Sequence, residues 1–278
     1  MNGVLTVARN TLHEAARRRI LLATAVFGVI GLALFALGMH FVHREITAHG
    51  GVAAVQHRIT VSFLVMAGLY AVNFLLIMTA VLVPVDSVSG EIASGVMQTV
   101  ASKPVRRSEI LLGKWLGFSV IVTGYLLLMG GGIVAIGRVI TGVATPGLHF
   151  GLPLMLLEGL LLMTLSVAGG TRLSTVTNGV VVFGLFGLAF IGGWVEQIGT
   201  LAGNDAARTI GTIASLIMPS ESLWQLAAYH MQPGVMRELS LTPFSPASVP
   251  TPAMVVWAGG YVVAVLALGL IAFRRRAL

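Results

Sequence analysis

The sequence predicts an all-α, polytopic membrane protein of six transmembrane helices. An N-terminal amphipathic interfacial helix precedes the spans, and a re-entrant or interfacial helix stands before the last one. Three observations carry this prediction. First, hydrophobic residues make up 56% of the 278 residues and charged residues 10%, with a mean hydropathy of +0.93. Soluble domains carry about 25% charged residues, and a soluble fold so poor in charge would expose apolar surface everywhere and aggregate. Second, the apolar residues gather into six runs, at about 20–42, 61–83, 110–136, 150–169, 176–197 and 254–273. Each is close to the ~20 residues that cross a bilayer. Third, the basic residues are unevenly shared between alternate loops.

The first run follows a basic segment. At residues 20–42 it is longer than the ~7–15-residue apolar core of a signal peptide, so it reads as a retained span. With the N-terminus inside, 12 of the 17 Lys and Arg residues are cytoplasmic, including Arg17, Arg18, Arg19, Lys103, Lys114, Arg172 and the Arg274–Arg276 cluster. Arg44, Arg58, Arg138, Arg208 and Arg237 fall outside. The positive-inside rule selects this orientation, and an even number of spans returns the C-terminus to the same side. Residues 1–278 thus read as one transmembrane domain in the inner (cytoplasmic) membrane, with both termini cytoplasmic.

Three segments do not span. In residues 3–19, Val4, Leu5, Ala8, Leu12, Ala15 and Ala16 share one side of a helical wheel. Arg9, Asn10, His13, Glu14 and Arg17 share the other. This pattern fits an amphipathic helix on the inner leaflet; a plain basic anchor is the alternative. The inner loop, residues 84–108, is polar and bounded by prolines: Pro84 ends the second span, and Pro104 separates a short helix from the third. Ser108 and Glu109 suit the start of that third helix, as a cap hydroxyl and a first-turn carboxylate. In the outer segment, residues 199–253, Ala206–Met218 is apolar but too short to cross. Pro219 is expected to stop that helix and the later prolines to leave the rest extended.

Catalytic chemistry is sparse. The chain has no cysteine, which removes thiolate catalysis and cysteine metal sites. The nearest approach to a phosphate-binding loop, Ser108–Trp115, lacks both the leading glycine and the hydroxyl residue that such a loop requires. The chain is therefore not expected to bind nucleotide by that route. The net charge of +7 sits beside apolar runs and is read as setting topology rather than binding nucleic acid. His40 and His43, three apart, share a helix face and are weak candidates for a soft or borderline metal; solvated helix-end residues or a protein contact are the other readings. Glu158 lies inside the fourth run. An ionisable residue at that depth faces protein or water, which makes it a translocation-path or dimer-seam candidate unless the helix starts late enough to place it at the outer headgroups. Gly113 and Gly117 form a small-xxx-small pair, one of many expected among 34 glycines.

The segment Ser89-Gly90-Glu91-Ile92-Ala93-Ser94-Gly95-Val96 is followed by Lys103-Pro104-Val105-Arg106-Arg107-Ser108-Glu109-Ile110-Leu111-Leu112-Gly113-Lys114. Together they resemble the loop between the second and third spans of type-2 ABC transporter permeases. The order of amphipathic helix, six spans and a partial membrane helix before the last span is similar along the whole chain. Pro219-Ser220-Glu221-Ser222-Leu223 is loosely similar to an element of the subgroup related to the permease for copper-site maturation of nitrous oxide reductase. The resemblance implies an export permease without a cofactor, paired with a second permease subunit and served by two separate cytoplasmic ABC ATPase subunits, with substrate passing along the dimer seam. It also implies that the inner loop is the coupling element, with Glu91, Gly95, Lys103, Pro104, Arg106 and Arg107 as its coupling residues. A self-contained secondary transporter or channel is the alternative, although that class usually shows internal repeats and mid-membrane charges, and this sequence has no repeat and few such charges. Another is a membrane maturation factor for an extracytoplasmic partner protein.

Overall fold

The computed structural model describes residues 3–17, 19–48, 54–95, 97, 106–234, 237 and 248–276. The helices are α1 Gly3–Arg17, α2 Arg19–Ala48, α3 Ala54–Leu82, α4 Ser89–Ala93, α5 Arg107–Thr141, α6 Leu148–Gly169, α7 Thr175–Leu201, α8 Asp205–Ile217, α9 Ser220–Met231 and α10 Pro252–Arg275. The described residues contain no strand. Six helices, α2, α3, α5, α6, α7 and α10, are long and apolar enough to cross a membrane, and they coincide with the six apolar runs. They overrun those runs at the ends. The 35 residues of α5 extend about 50 Å, well beyond the ~30 Å hydrocarbon core, because a helix continues wherever its ends reach water. For the same reason α2 continues to Ala48, so His40 and His43 lie on the helix rather than beyond it.

Helix α6 is the hub. Met155, Leu161, Leu162, Met163 and Val167 are at most 1% exposed, enclosed by α3, α5, α9 and α10. Helices α2 and α10 are peripheral, with Phe27, Leu34, Val256 and Val263 largely exposed, as suits lipid-facing side chains. One end of the bundle gathers α1, α4, the start of α5, the α6–α7 turn and the end of α10; this is the basic end.

Helix α1 meets the bundle with one edge of its apolar side. Thr11 and Ala15 are its buried residues, whereas Leu5 is 64% exposed and Ala16 is also exposed. The seat is the glycine pair of α5. A Cβ at Gly113 would lie 2.5 Å from Val7 Cβ and 2.8 Å from the Val4 carbonyl oxygen, and one at Gly117 would lie 2.9 Å from Thr11 Cβ. The small-xxx-small pair is thus a groove for α1.

Two further expectations are corrected. Arg106, not Ser108, is the residue preceding α5, and Glu109 in the first turn accepts its backbone N–H at 2.8 Å; the carboxylate performs the capping that the hydroxyl was expected to share. Pro219 does not begin an extended stretch. It precedes α9, whose Leu223, Trp224, Ala227, Ala228 and Met231 are buried. Helix α8 turns back along α7 through small residues: Gly199 meets Ala207, Glu196 meets Gly211, and Gly192 meets Ala214. This antiparallel order makes the α8–α9 pair re-entrant in form.

Gly113→Val is expected to lift α1 off α5. The purified chain should lose about 1–3 kcal/mol of stability, the usual result of overpacking, and trypsin should cut at the exposed Arg17 faster than in the parent. Unchanged cleavage and melting would show that α1 does not depend on this groove.

Candidate functional site

The stretch after α3, from Val83 to Gly95, is tied down at several points. Val83 and Val85 are buried, and Val88 is completely enclosed. Backbone bonds from Ser87 N to Pro84 O (2.9 Å) and from Gly90 N to Asp86 O (3.0 Å) lead into the five-residue α4. A Cβ at Gly90 would fall 2.2 Å from Asp86 Oδ1, so the aspartate can fold over this turn only because residue 90 lacks a side chain.

Two anchors fix the loop to different spans. On one side, the Lys114 ammonium of α5 donates to Glu91 Oε1 and, at 3.0 Å, to the Ser87 carbonyl. The Lys114 side chain is 6% exposed and that of Glu91 16%. A buried ammonium is tolerated only when paired and hydrogen-bonded, and these two acceptors meet that need. On the other side, Thr175 Oγ1 in the first turn of α7 donates to Asp86 Oδ1 at 2.8 Å, and Ser89 Oγ stands 2.8 Å from the same Thr175 oxygen. What remains open to solvent is the outward surface of Asp86, Ala93 and Ser94. Gly95 then turns the chain at φ 75°, a left-handed position that favours glycine.

The expected coupling residues are only partly brought together. Glu91 is held by Lys114 of α5. Arg107 Nη1 donates to the carbonyls of Arg274 (3.4 Å) and Arg276 at the end of α10, and Arg276 in turn donates to Thr171 O in the α6–α7 turn. Arg106 is exposed. Lys103 and Pro104 lie outside the described residues. Lys114, Asp86 and Thr175 were not singled out by the sequence. Lys114 lies at the end of the motif that carries the resemblance, and nothing in the spacing announces that it reaches back 23 residues.

Glu158 is the eleventh of the 22 residues of α6, far from either end, so a headgroup position does not apply. It is 0% exposed, and its carboxylate lacks a hydrogen-bond partner among the described residues. It faces the interior beside Asn73 of α3, and Glu221 of α9 is near enough to act on it electrostatically. His40 and His43 do not assemble a site together. His40 packs against Phe41, and His43 faces His57 of α3 with ring centroids 5.5 Å apart. Among the described residues no group of three or more His, Cys, Asp or Glu is placed to hold a metal.

Residues 5–278 match the family model described as ABC-2 family transporter protein. The chain is also 29% identical over 145 residues to a protein of Stutzerimonas stutzeri named "Probable ABC transporter permease protein NosY", a match covering 51% of this chain and 49% of that protein. The similarity therefore spans about half the length of that relative.

Breaking the buried pair from either side is expected to be costly. Lys114→Met and Glu91→Gln should each destabilise the purified chain by about 3 kcal/mol, and the double variant by clearly less than the sum, because neither charge is then stranded. A double-mutant cycle on thermal unfolding reads this directly; additive losses below about 0.5 kcal/mol would show the pair to be incidental.

Proposed function

The chain belongs to the ABC-2 transporter family and is an ABC transporter permease, and from that premise we propose that it is the permease subunit of an ATP-driven exporter whose nucleotide is hydrolysed by separate ATPase subunits. In this reading the basic end is cytoplasmic, as the distribution of 12 of the 17 basic residues suggests. The surface of Asp86, Ala93 and Ser94 docks onto the ATPase, a second permease subunit completes the assembly, and solute leaves along the seam between the two. Glu158 belongs to the buried lining of the path rather than to the docking surface.

The observation that carries the reading is the double anchoring of α4. An ATPase that closes on nucleotide can do work on a membrane helix only through a contact that does not yield. Helix α4 is joined to α5 through Glu91–Lys114 and to α7 through Ser89–Thr175, with Asp86 of the preceding turn bonded to the same threonine, so a push on its outer surface reaches two spans at once. A mere connection between α3 and α5 has no need of either tie.

Two outcomes test this. A cysteine at Ser94 should react with an impermeant maleimide only from the cytoplasm, and one at Ala202 only from outside; the reverse pattern would overturn the orientation. Ser94→Trp, at an exposed position, should leave the stability of the isolated chain within about 0.5 kcal/mol. It should lower recovery of the ATPase on co-purification and abolish transport by the reconstituted complex. Normal recovery and transport would remove this surface from the interface, and ATP hydrolysis by the purified chain alone would contradict the division of labour.

A further inference from the structure

An aromatic-walled cavity of about 350 Å³ opens between α3, α7 and α9. Tyr70 and Phe74 of α3, Phe186 and Phe190 of α7 and Trp224 of α9 form its walls. The Tyr70 and Trp224 rings meet edge to face at 5.5 Å, Phe186 and Phe190 stack at 6.2 Å, and Phe74 is 51% exposed. The volume lies in the range of small-molecule sites, about 300–1,000 Å³.

Its polar lining is acidic and amide. Glu221 lines the cavity at 9% exposure, beside Gln225. Room for both comes from α7, where a Cβ at Gly193 would lie 2.5 Å from Glu221 Cγ and 2.9 Å from Gln225 Nε2. Asn73 lines the cavity at 4% exposure with its Oδ1 unpartnered, and behind it stands Glu158 with both oxygens unpartnered. Neither glutamate has an ion-pair partner among the described residues. The Glu221 carboxyl group and a spare amide oxygen therefore border a space walled by π faces, a second carboxyl group stands behind them, and the described residues lining the space include no Lys or Arg.

We propose that this cavity binds an amphipathic organic cation, its charged centre against Glu221 and beside the Tyr70 and Trp224 rings, its apolar body along Phe186 and Phe190. The chemistry is complementary on both counts. Aromatic faces attract a cation within about 6 Å of the ring centroid, an attraction that strengthens on desolvation, and a carboxylate removed from water needs a positive partner. An anion would meet the Glu221 carboxyl group, and a wholly apolar ligand would leave it unanswered. As a substrate site the cavity rests on the permease reading; as a binding site it does not.

The test uses the full-length chain in nanodiscs of zwitterionic lipid, with empty nanodiscs subtracted. The probes are tetraphenylphosphonium, a permanent cation, and triphenylphosphine oxide, a neutral molecule of related shape. The cation should bind saturably and at least about tenfold more tightly than the neutral probe. Glu221→Gln, which keeps the side-chain shape, should remove that preference. Phe190→Ala should weaken binding of the cation while elution and melting stay those of the parent. Equal affinity for the two probes, binding of neither, or a preference unchanged in Glu221→Gln would each overturn the proposal. Transport that depends on the ATPase in a complex that binds neither probe would keep the permease reading and discard this one. Selective cation binding by a chain that couples to no ATPase would uphold this one and discard the other.

Discussion

The architecture at the basic end depends on one buried ammonium. Lys114 stands in the second turn of α5 and is 5% exposed overall, and such a charge in an apolar helix is stable only if acceptors are brought to it. The acceptors come from the loop after α3, as Glu91 Oε1 and the Ser87 carbonyl. Satisfying the lysine thus folds the loop, and folding the loop places Asp86 and Ser89 against Thr175 of α7. The neighbouring face of the same stretch of α5 is shaped by Gly113 and Gly117, which admit α1. Within five residues α5 receives both the N-terminal helix and the inner loop, and its first turn is tied through Arg107 to the end of α10.

The interior follows a different rule. Helix–helix contact within a bilayer gains little from burying apolar surface, so it relies on close packing and small residues. The α7–α8 pair shows this in its run of glycine and alanine contacts, and the same smallness at Gly193 leaves room for Glu221. Polar groups inside the bundle, Asn73, Glu158 and Glu221, are then held at the junction of α3, α6 and α9, where the described residues place no ion-pair partner. In the account proposed above, that junction is where solute binds and α4 is where ATP-driven force enters, with α6 and α7 between them.

How much of this was legible in the sequence depends on the range of the interaction. Spanning helices are set by runs of about 20 apolar residues, a local property, and all six were read from the sequence; their ends were not, because helices outlast the hydrocarbon core. Helix α9 was missed because Pro219 and the prolines from Pro233 onward suggested a loop, although the four-residue spacing of Leu223, Ala227 and Met231 was an available signal. Glu91 was recognised from its motif, but its partner Lys114 was not. Arg107 is drawn to the carbonyls ending α10, and a tie across 23 residues leaves no periodic trace. The seat of α1 was hidden for a further reason: in a chain with 34 glycines, the pair at 113 and 117 does not stand out until a second helix is seen upon it.

The central claim is that the segment from Val83 to Gly95 is a rigid lever because Lys114 holds it. Hydrogen–deuterium exchange of the full-length chain in nanodiscs measures that property directly, since backbone amides in a braced segment open only with the structure around them. The account predicts slow exchange at Ser87, Gly90 and Ile92, approaching that of the adjoining end of α3, and a selective loss of that protection in Lys114→Met while the spans remain protected. Exchange across the segment at the rate of a free loop in the parent chain, or protection indifferent to Lys114, would contradict it.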